Sequence, residues 1–153
     1  MEADRGGATT SDPVTGGRRG GQRVRQVVNV LTLATPLGLL LARVGGAGVR
    51  PGPHGTLVAA GYRCGFPAPR ASAVTIGDVV LLRLHDDELA RRPLLLEHEA
   101  RHATQWAMGL GLVGFPLAYA LAAGWSWLRC GDGARGNVFE QAAGLVAGGY
   151  LPE

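Results

Sequence analysis

Five consecutive residues near the middle of the chain, His98-Glu99-Ala100-Arg101-His102, have the types and spacing for metal chemistry. On an α-helix, positions i and i+4 project from one face, so both imidazoles reach a single ion. Glu99 lies one step around, where its carboxylate can take a proton from water held by that ion. Two imidazoles and a carboxylate suit zinc and leave a fourth position open for the water. With four His and six Glu in the chain, the pattern arises by chance in about one of a few hundred such sequences. The bland alternative is an amphipathic helix whose two histidines are surface or hydrogen-bonded core residues.

A third ligand must come from downstream, where the acids are Asp132, Glu140 and Glu153. Asp132 lies in a Gly-rich turn, where a carboxylate is usually solvated. Glu140 sits one turn into a last helix, a rigid platform suited to metal geometry, with Phe139 beside it to bury that face. It is the candidate ligand, against the alternative of an ordinary first-turn acid favoured by the helix dipole. Gln105, three residues after His102, is placed to orient Glu140 or a ligand. Tyr119 and Tyr150 are the phenols best placed to steady an oxyanion. His54 and His85 read as loop or surface residues, and Trp106, Trp125 and Trp127 as packing for a helical hairpin.

Several elements must position these groups. Residues 1–22 have almost no large apolar side chain and read as a disordered tail, leaving residues 23–153 as one domain. Val27–Ala42 reads as a buried or surface-packed helix, with a signal or anchor as the alternative. Gly45–Gly55 reads as a loop. Thr56–Tyr62, Ala73–Ile76 and Asp78–Leu84 have β-type composition and predict a small antiparallel sheet. Asp86 and Asp87 read as caps of a short helical turn. Pro93 suits a first helical position and Gly109 the position after the last turn. Asn137 caps a last helix running to about Ala147.

Leu110–Leu128 carries no charge and is long enough to raise the question of a membrane span. Chain geometry bears on it. A straight continuation of the metal-site helix would carry the chain about 30–40 Å beyond His102, and residues 129–136 reach back at most ~27 Å. A break near Gly109–Gly114, with Phe115–Leu128 folding back, returns Glu140 easily. A helical hairpin packed in the core is therefore favoured over a membrane span.

The chain has 153 residues, 46% hydrophobic and 18% charged, enough for one modest core and too little for a large multidomain enzyme. Every basic residue is Arg, which excludes a catalytic lysine. Net charge is +3. Residues 1–26 contribute +2, five Arg against three acids, and the rest +1, ten Arg against nine acids. No basic patch interleaved with aromatics appears, so no nucleic-acid partner is expected. Cys64 and Cys130 are isolated and leave the redox compartment open. A cytoplasmic location is expected, with membrane association or export through Val27–Ala42 as the alternative.

With His98, Glu99, His102 and Glu140 in place, the chain resembles the gluzincin-type zincin metallopeptidases, whose ligands are H-E-x-x-H plus a downstream Glu. More narrowly, HEARHATQW, the Phe115–Tyr119 segment and NVFEQAAGL are similar to small bacterial zincin-like proteins that share H-E-x-x-H-x-x-Q and a later F/L-E-x-x-A. The likeness covers about residues 93–150, with weaker echoes at Thr35–Gly38 and Thr75–Val80. It implies an α+β, minimal zincin-like domain: a small sheet, a metal-site helix, a helical hairpin and a C-terminal helix. It further implies a zinc cofactor bound by His98, His102 and Glu140, Glu99 as general base, and a peptide or protein substrate. An edge strand ahead of the metal-site helix would hold that substrate extended, and Asp78–Leu84 is the candidate. The chain departs from the pattern in carrying Arg101 and in lacking both an Asp just after Glu140 and a histidine after His102. Two other readings stand beside this one. One is a non-catalytic, zinc-stabilised scaffold closed by a fourth ligand such as Cys130; the other is a membrane-associated protease.

Overall fold

The four residues Val79-Val80-Leu81-Leu82 are all buried, and they form the innermost strand of the molecule. The computed structural model describes residues 13–68, 71–109 and 111–151. It has the α+β layout expected from the sequence. The strands are β1 (Gly48–Pro51), β2 (Leu57–Ala60), β3 (Ala73–Ile76) and β4 (Val79–Leu82), in spatial order β1-β2-β4-β3. The β1–β2 and β3–β4 pairs are antiparallel, but β2 and β4 run parallel, Leu57 opposite Val79.

The sheet is thus mixed rather than wholly antiparallel. An unbroken apolar run suits a strand covered on both faces, so β4 takes the centre and β3 turns outward beyond it. Residues 61–78 supply the crossover that a parallel pair needs. Two further expectations change with this order. Asp78–Leu84 is central, and the edge strand beside the His98–His102 helix is β3. Part of the expected Gly45–Gly55 loop is β1, whose four exposed residues carry no alternation to reveal an edge strand.

Both faces of β4 are packed. Val79 and Leu81 join Ala34, Ala42, Ile76, Trp106 and Phe115 on one side. Leu82 joins Val58 and Leu95 in a second cluster.

The Val27–Ala42 stretch is two helices, α1 (Pro13–Leu31) and α2 (Ala34–Val44), bent by 72° at Thr32-Leu33. Pro36 lacks an amide hydrogen and fits the first turn of a new helix, not the middle of an old one. Because α1 begins at Pro13, residues 13–22 are helical and not a tail; they extend a helix anchored further on by Arg25 and Asn29. Residues 1–12 lie outside the described residues.

The anchor is buried Asp78. Arg25 Nε lies 2.8 Å from its Oδ1, and Asn29 and Thr35 donate to Oδ2 at 3.2 Å each. Asn29 also donates to the Ala103 carbonyl at 3.0 Å, tying α1 to the helix that carries His98 and His102. Gly77 turns at φ +62, and a Cβ there would stand 2.4 Å from the Thr35 nitrogen. Only glycine lets the β3–β4 turn lie this close to α2. Thr35–Gly38 and Thr75–Val80, the two weaker echoes, are therefore in contact.

A short helix, α3 (Asp86–Ala90), follows the sheet. Its cap is His85, whose amide donates to Glu88 at 3.0 Å, rather than Asp86 or Asp87. The helix that carries His98 and His102, α4 (Leu95–Met108), begins two residues after Pro93 and is capped at Gly109. α5 (Gly111–Cys130) folds back along it, with Trp106 and Phe115 ring centroids 5.1 Å apart.

The hairpin exists, but it is not packed in the core. Of α5 only Gly111, Phe115 and Ser126 are buried, and Trp125 and Trp127 face outward. Trp106 does pack inside, as expected. The last helix, α6 (Val138–Ala143), is capped by Asn137 and ends at Ala143, four residues short of Ala147, with Gly144 as its C-terminal cap.

Candidate metal centre

His98 and His102 project from α4 into the interior, and Glu140 meets them from α6. All three are buried. The two Nε2 atoms are 3.0 Å apart. His98 Nε2 is 3.3 Å from Glu140 Oε2, and His102 Nε2 is 3.4 Å from Oε1. Donors about 2.0–2.1 Å from a tetrahedral ion lie about 3.3 Å from one another, which these separations approach.

The outer nitrogens decide what the inner ones can do. His98 Nδ1 lies 3.0 Å from the Gly144 carbonyl and 3.2 Å from that of Ala143. Carbonyls only accept, so the His98 proton is on Nδ1 and its Nε2 lone pair points inward. His102 Nδ1 is 2.7 Å from Gln105 Oε1. The Gln105 amide nitrogen donates to the Phe139 carbonyl at 2.9 Å, which fixes the oxygen toward His102. His102 therefore also presents an Nε2 lone pair. Of the two groups it was expected to orient, Glu140 or a ligand, Gln105 holds a candidate ligand, His102.

Two imidazole lone pairs and a carboxylate this close repel one another unless a cation stands between them. Glu140 Oε2 is buried with no hydrogen-bond partner. These atoms form a group that could hold a metal ion. Where no ion is bound, a proton takes that place. Burial alone lowers the His102 pKa, but Glu140, Glu99 and Gln105 outweigh it and hold the value above the ordinary one. Burial likewise raises Glu140, yet its contacts with His102 and His98 bring it well below the usual carboxylate range.

The early end of α6 belongs to this geometry. Gly144 adopts φ +96, ending the helix so that the Ala143 and Gly144 carbonyls face His98. Arg101 donates to the Ala143 carbonyl at 2.9 Å and to Glu97 at 2.8 Å. Its charge is spent on the end of α6 and on the surface, away from the His98–His102–Glu140 cluster. Gly148 brings the chain against the site, where a Cβ would stand 2.7 Å from both His98 Cε1 and the Tyr150 ring.

Comparison with family models, curated proteins and solved structures finds no match to this chain. The chemistry of the site therefore rests on its own geometry.

Glu99 lies beside the cluster and lines the same cleft. Thr75 on β3 donates to Glu99 Oε2 at 2.6 Å. Burial raises the Glu99 carboxyl above its usual range, against the lowering effects of His102, Thr75 and His98. Trp106 donates to the Thr75 carbonyl at 2.8 Å, stitching the edge strand to α4. Thr75 was not legible from sequence, since a threonine in an apolar strand is ordinary β composition.

Tyr119 reaches the site from α5 and donates to Glu140 Oε1, so it braces that carboxylate. The Tyr150 ring lies 6.1 Å from that of His98 and lines the cleft. Burial and the Glu140 charge raise both phenols, which keeps them protonated donors.

The cleft above these groups has a volume of about 470 Å³. Leu37 and Leu41 of α2, Val74 and Ile76 of β3, and Phe115 of α5 form its walls. Asp132 lies apart, accepting from the amides of Ala134 and Arg135 in its own turn. Cys64 and Cys130 are both free thiols, and neither joins the cluster. His54 and His85 are also outside it.

Proposed function

We propose that the chain is a zinc-dependent metallohydrolase of zincin-like type, most simply a metallopeptidase acting on a peptide or protein segment. The observation that carries this reading is the convergence of two Nε2 lone pairs and one carboxylate, with Glu99 beside them at the floor of a cleft. Two imidazoles and a carboxylate suit zinc among the divalent ions. Zinc bound there supplies Lewis acidity and lowers the pKa of its water toward ~7.

The chain's own residues account for the remaining work. Glu99, held by Thr75 and raised by burial, is suited to take a proton from water and deliver it to the leaving amine as the C–N bond breaks. β3 pairs with β4 on one side only, so its free edge can hold an extended segment over the metal ligands. Tyr150 on the cleft wall is the phenol to steady a developing oxyanion, and Tyr119 is occupied with Glu140.

A scaffold reading calls for a fourth protein ligand closing the site. Among the described residues the group has three ligands, and Cys130 is exposed outside it. That favours the open, catalytic arrangement. The test is cleavage of a quenched-fluorescent peptide library by zinc-loaded wild type and Glu99→Gln. Removing a general base is expected to lower the rate about 10²–10⁴-fold while zinc is retained. Equal rates in the two proteins overturn the proposed role.

A further inference from the structure

We propose that the outer face of α5, together with the elbow between α1 and α2, seats the protein on the surface of an anionic lipid bilayer. This inference does not depend on the identity of the metal.

The exposed apolar residues that carry it lie on α5 and at the elbow where α1 meets α2. On α5 the positions Val113, Leu117, Leu121 and Trp125 recur every four residues and are 77%, 60%, 68% and 58% exposed. Such a stripe on a helix normally faces a core; here it faces outward. The stripe begins at the elbow, because a Cβ on Gly111 would stand 2.4 Å from the Thr32 side chain. The elbow itself exposes Leu31 and Leu33.

Charge selects the occupant. Helices α1, α2 and α5 contain six Arg and no Asp or Glu, whereas the whole chain is only +3. Arg25 is consumed by Asp78. Arg23, Arg43 and Arg129 are exposed on α1, α2 and α5 respectively. Arg129 lies over the Trp125 ring at 5.3 Å, an aromatic–cationic pair at the end of an uncharged helix, as found where helices meet headgroups. A second copy presenting the same face would set these arginines against themselves. Anionic headgroups complement them.

The geometry further favours lying on the bilayer over crossing it. α4 runs back along α5, with His102 beside Tyr119 at 6.2 Å between ring centroids. A spanning α5 would draw the polar ligands and the exposed Glu97–Arg101 pair toward the hydrocarbon, which is costly. Seating by the outer face alone leaves them in water. Since α2 and α5 also wall the cleft, a protein seated this way holds its cleft at the membrane surface.

Flotation of the full chain with vesicles tests the proposal, using phosphatidylcholine alone and phosphatidylcholine with added phosphatidylglycerol. Wild type is expected to float with the anionic vesicles, more weakly at high salt, with a blue shift of emission from Trp125 and Trp127. Leu117→Glu/Leu121→Glu and Arg23→Gln/Arg43→Gln are each expected to weaken partitioning at least tenfold, with unchanged far-UV circular dichroism. Val49→Glu, on β1 and outside the three helices, leaves it unchanged. The proposal is overturned if wild type stays with the unbound fraction, or if Leu117→Glu/Leu121→Glu floats like wild type. It is equally overturned if light scattering shows a vesicle-indifferent dimer that this double variant dissociates, since the face then covers a second copy.

Discussion

Replacing Gln105 by alanine removes the group that sets which His102 nitrogen carries the proton. Gln105 accepts from His102 Nδ1 at 2.7 Å and donates to the Phe139 carbonyl at 2.9 Å, beside Glu140. Alanine therefore frees the imidazole to exchange tautomers and leaves the Phe139 carbonyl without its donor. Each such hydrogen bond contributes about 0.5–1.5 kcal/mol net, so the pair amounts to about 1–3 kcal/mol. That matches the 10–100-fold loss of metal affinity usual when a ligand's hydrogen-bond partner is removed, about 1.4–2.7 kcal/mol. Competition for zinc against a chromogenic chelator at neutral pH measures it directly. Gln105→Glu keeps an acceptor for Nδ1 and is expected to bind more tightly than Gln105→Ala. A Gln105→Ala protein with native circular dichroism and an affinity within about threefold of wild type would refute the assignment of lone pairs at the site.

Two other outcomes follow from groups already described. Asp78→Ala leaves Arg25 buried without its carboxylate and strips Asn29 and Thr35 of an acceptor; urea unfolding is expected to show a loss of about 3–5 kcal/mol, and a loss below about 1 kcal/mol contradicts the clamp. The raised His102 value fixes the sign of a pH effect. In metal-free protein it contributes stability below the ordinary histidine pKa that is lost as pH rises through the folded value. Zinc needs the deprotonated nitrogen, so the rise in Tm on adding zinc should grow across that same window. A rise that shrinks with pH would contradict the shared site.

The parts of the site that follow from local periodicity were legible in the sequence. His98 and His102 share a face because they are four residues apart in a helix, and any fold that keeps the helix keeps the pair. Glu140 was reachable by chain length: the break at Gly109–Gly111 turns α5 back, and Asn137 starts α6 where a return to α4 is short. Strand order was not legible, because β4 wins the centre through contacts on both faces with residues far along the chain. The same holds for Thr75, whose partner Glu99 lies 24 residues on. The direction of Gln105 and the early end of α6 depend on carbonyls whose positions only the assembled helices define. Trp125 and Trp127 misled for a different reason: large aromatics usually signal a core, and here both are exposed among the described residues.

Zinc content per chain, measured by elemental mass spectrometry on reconstituted protein, tests the central claim most directly. Wild type and Glu99→Gln are expected to hold one zinc each, and His98→Ala, His102→Ala and Glu140→Ala to hold none after dialysis. Wild type without zinc, or zinc retained in all three ligand variants, would contradict it.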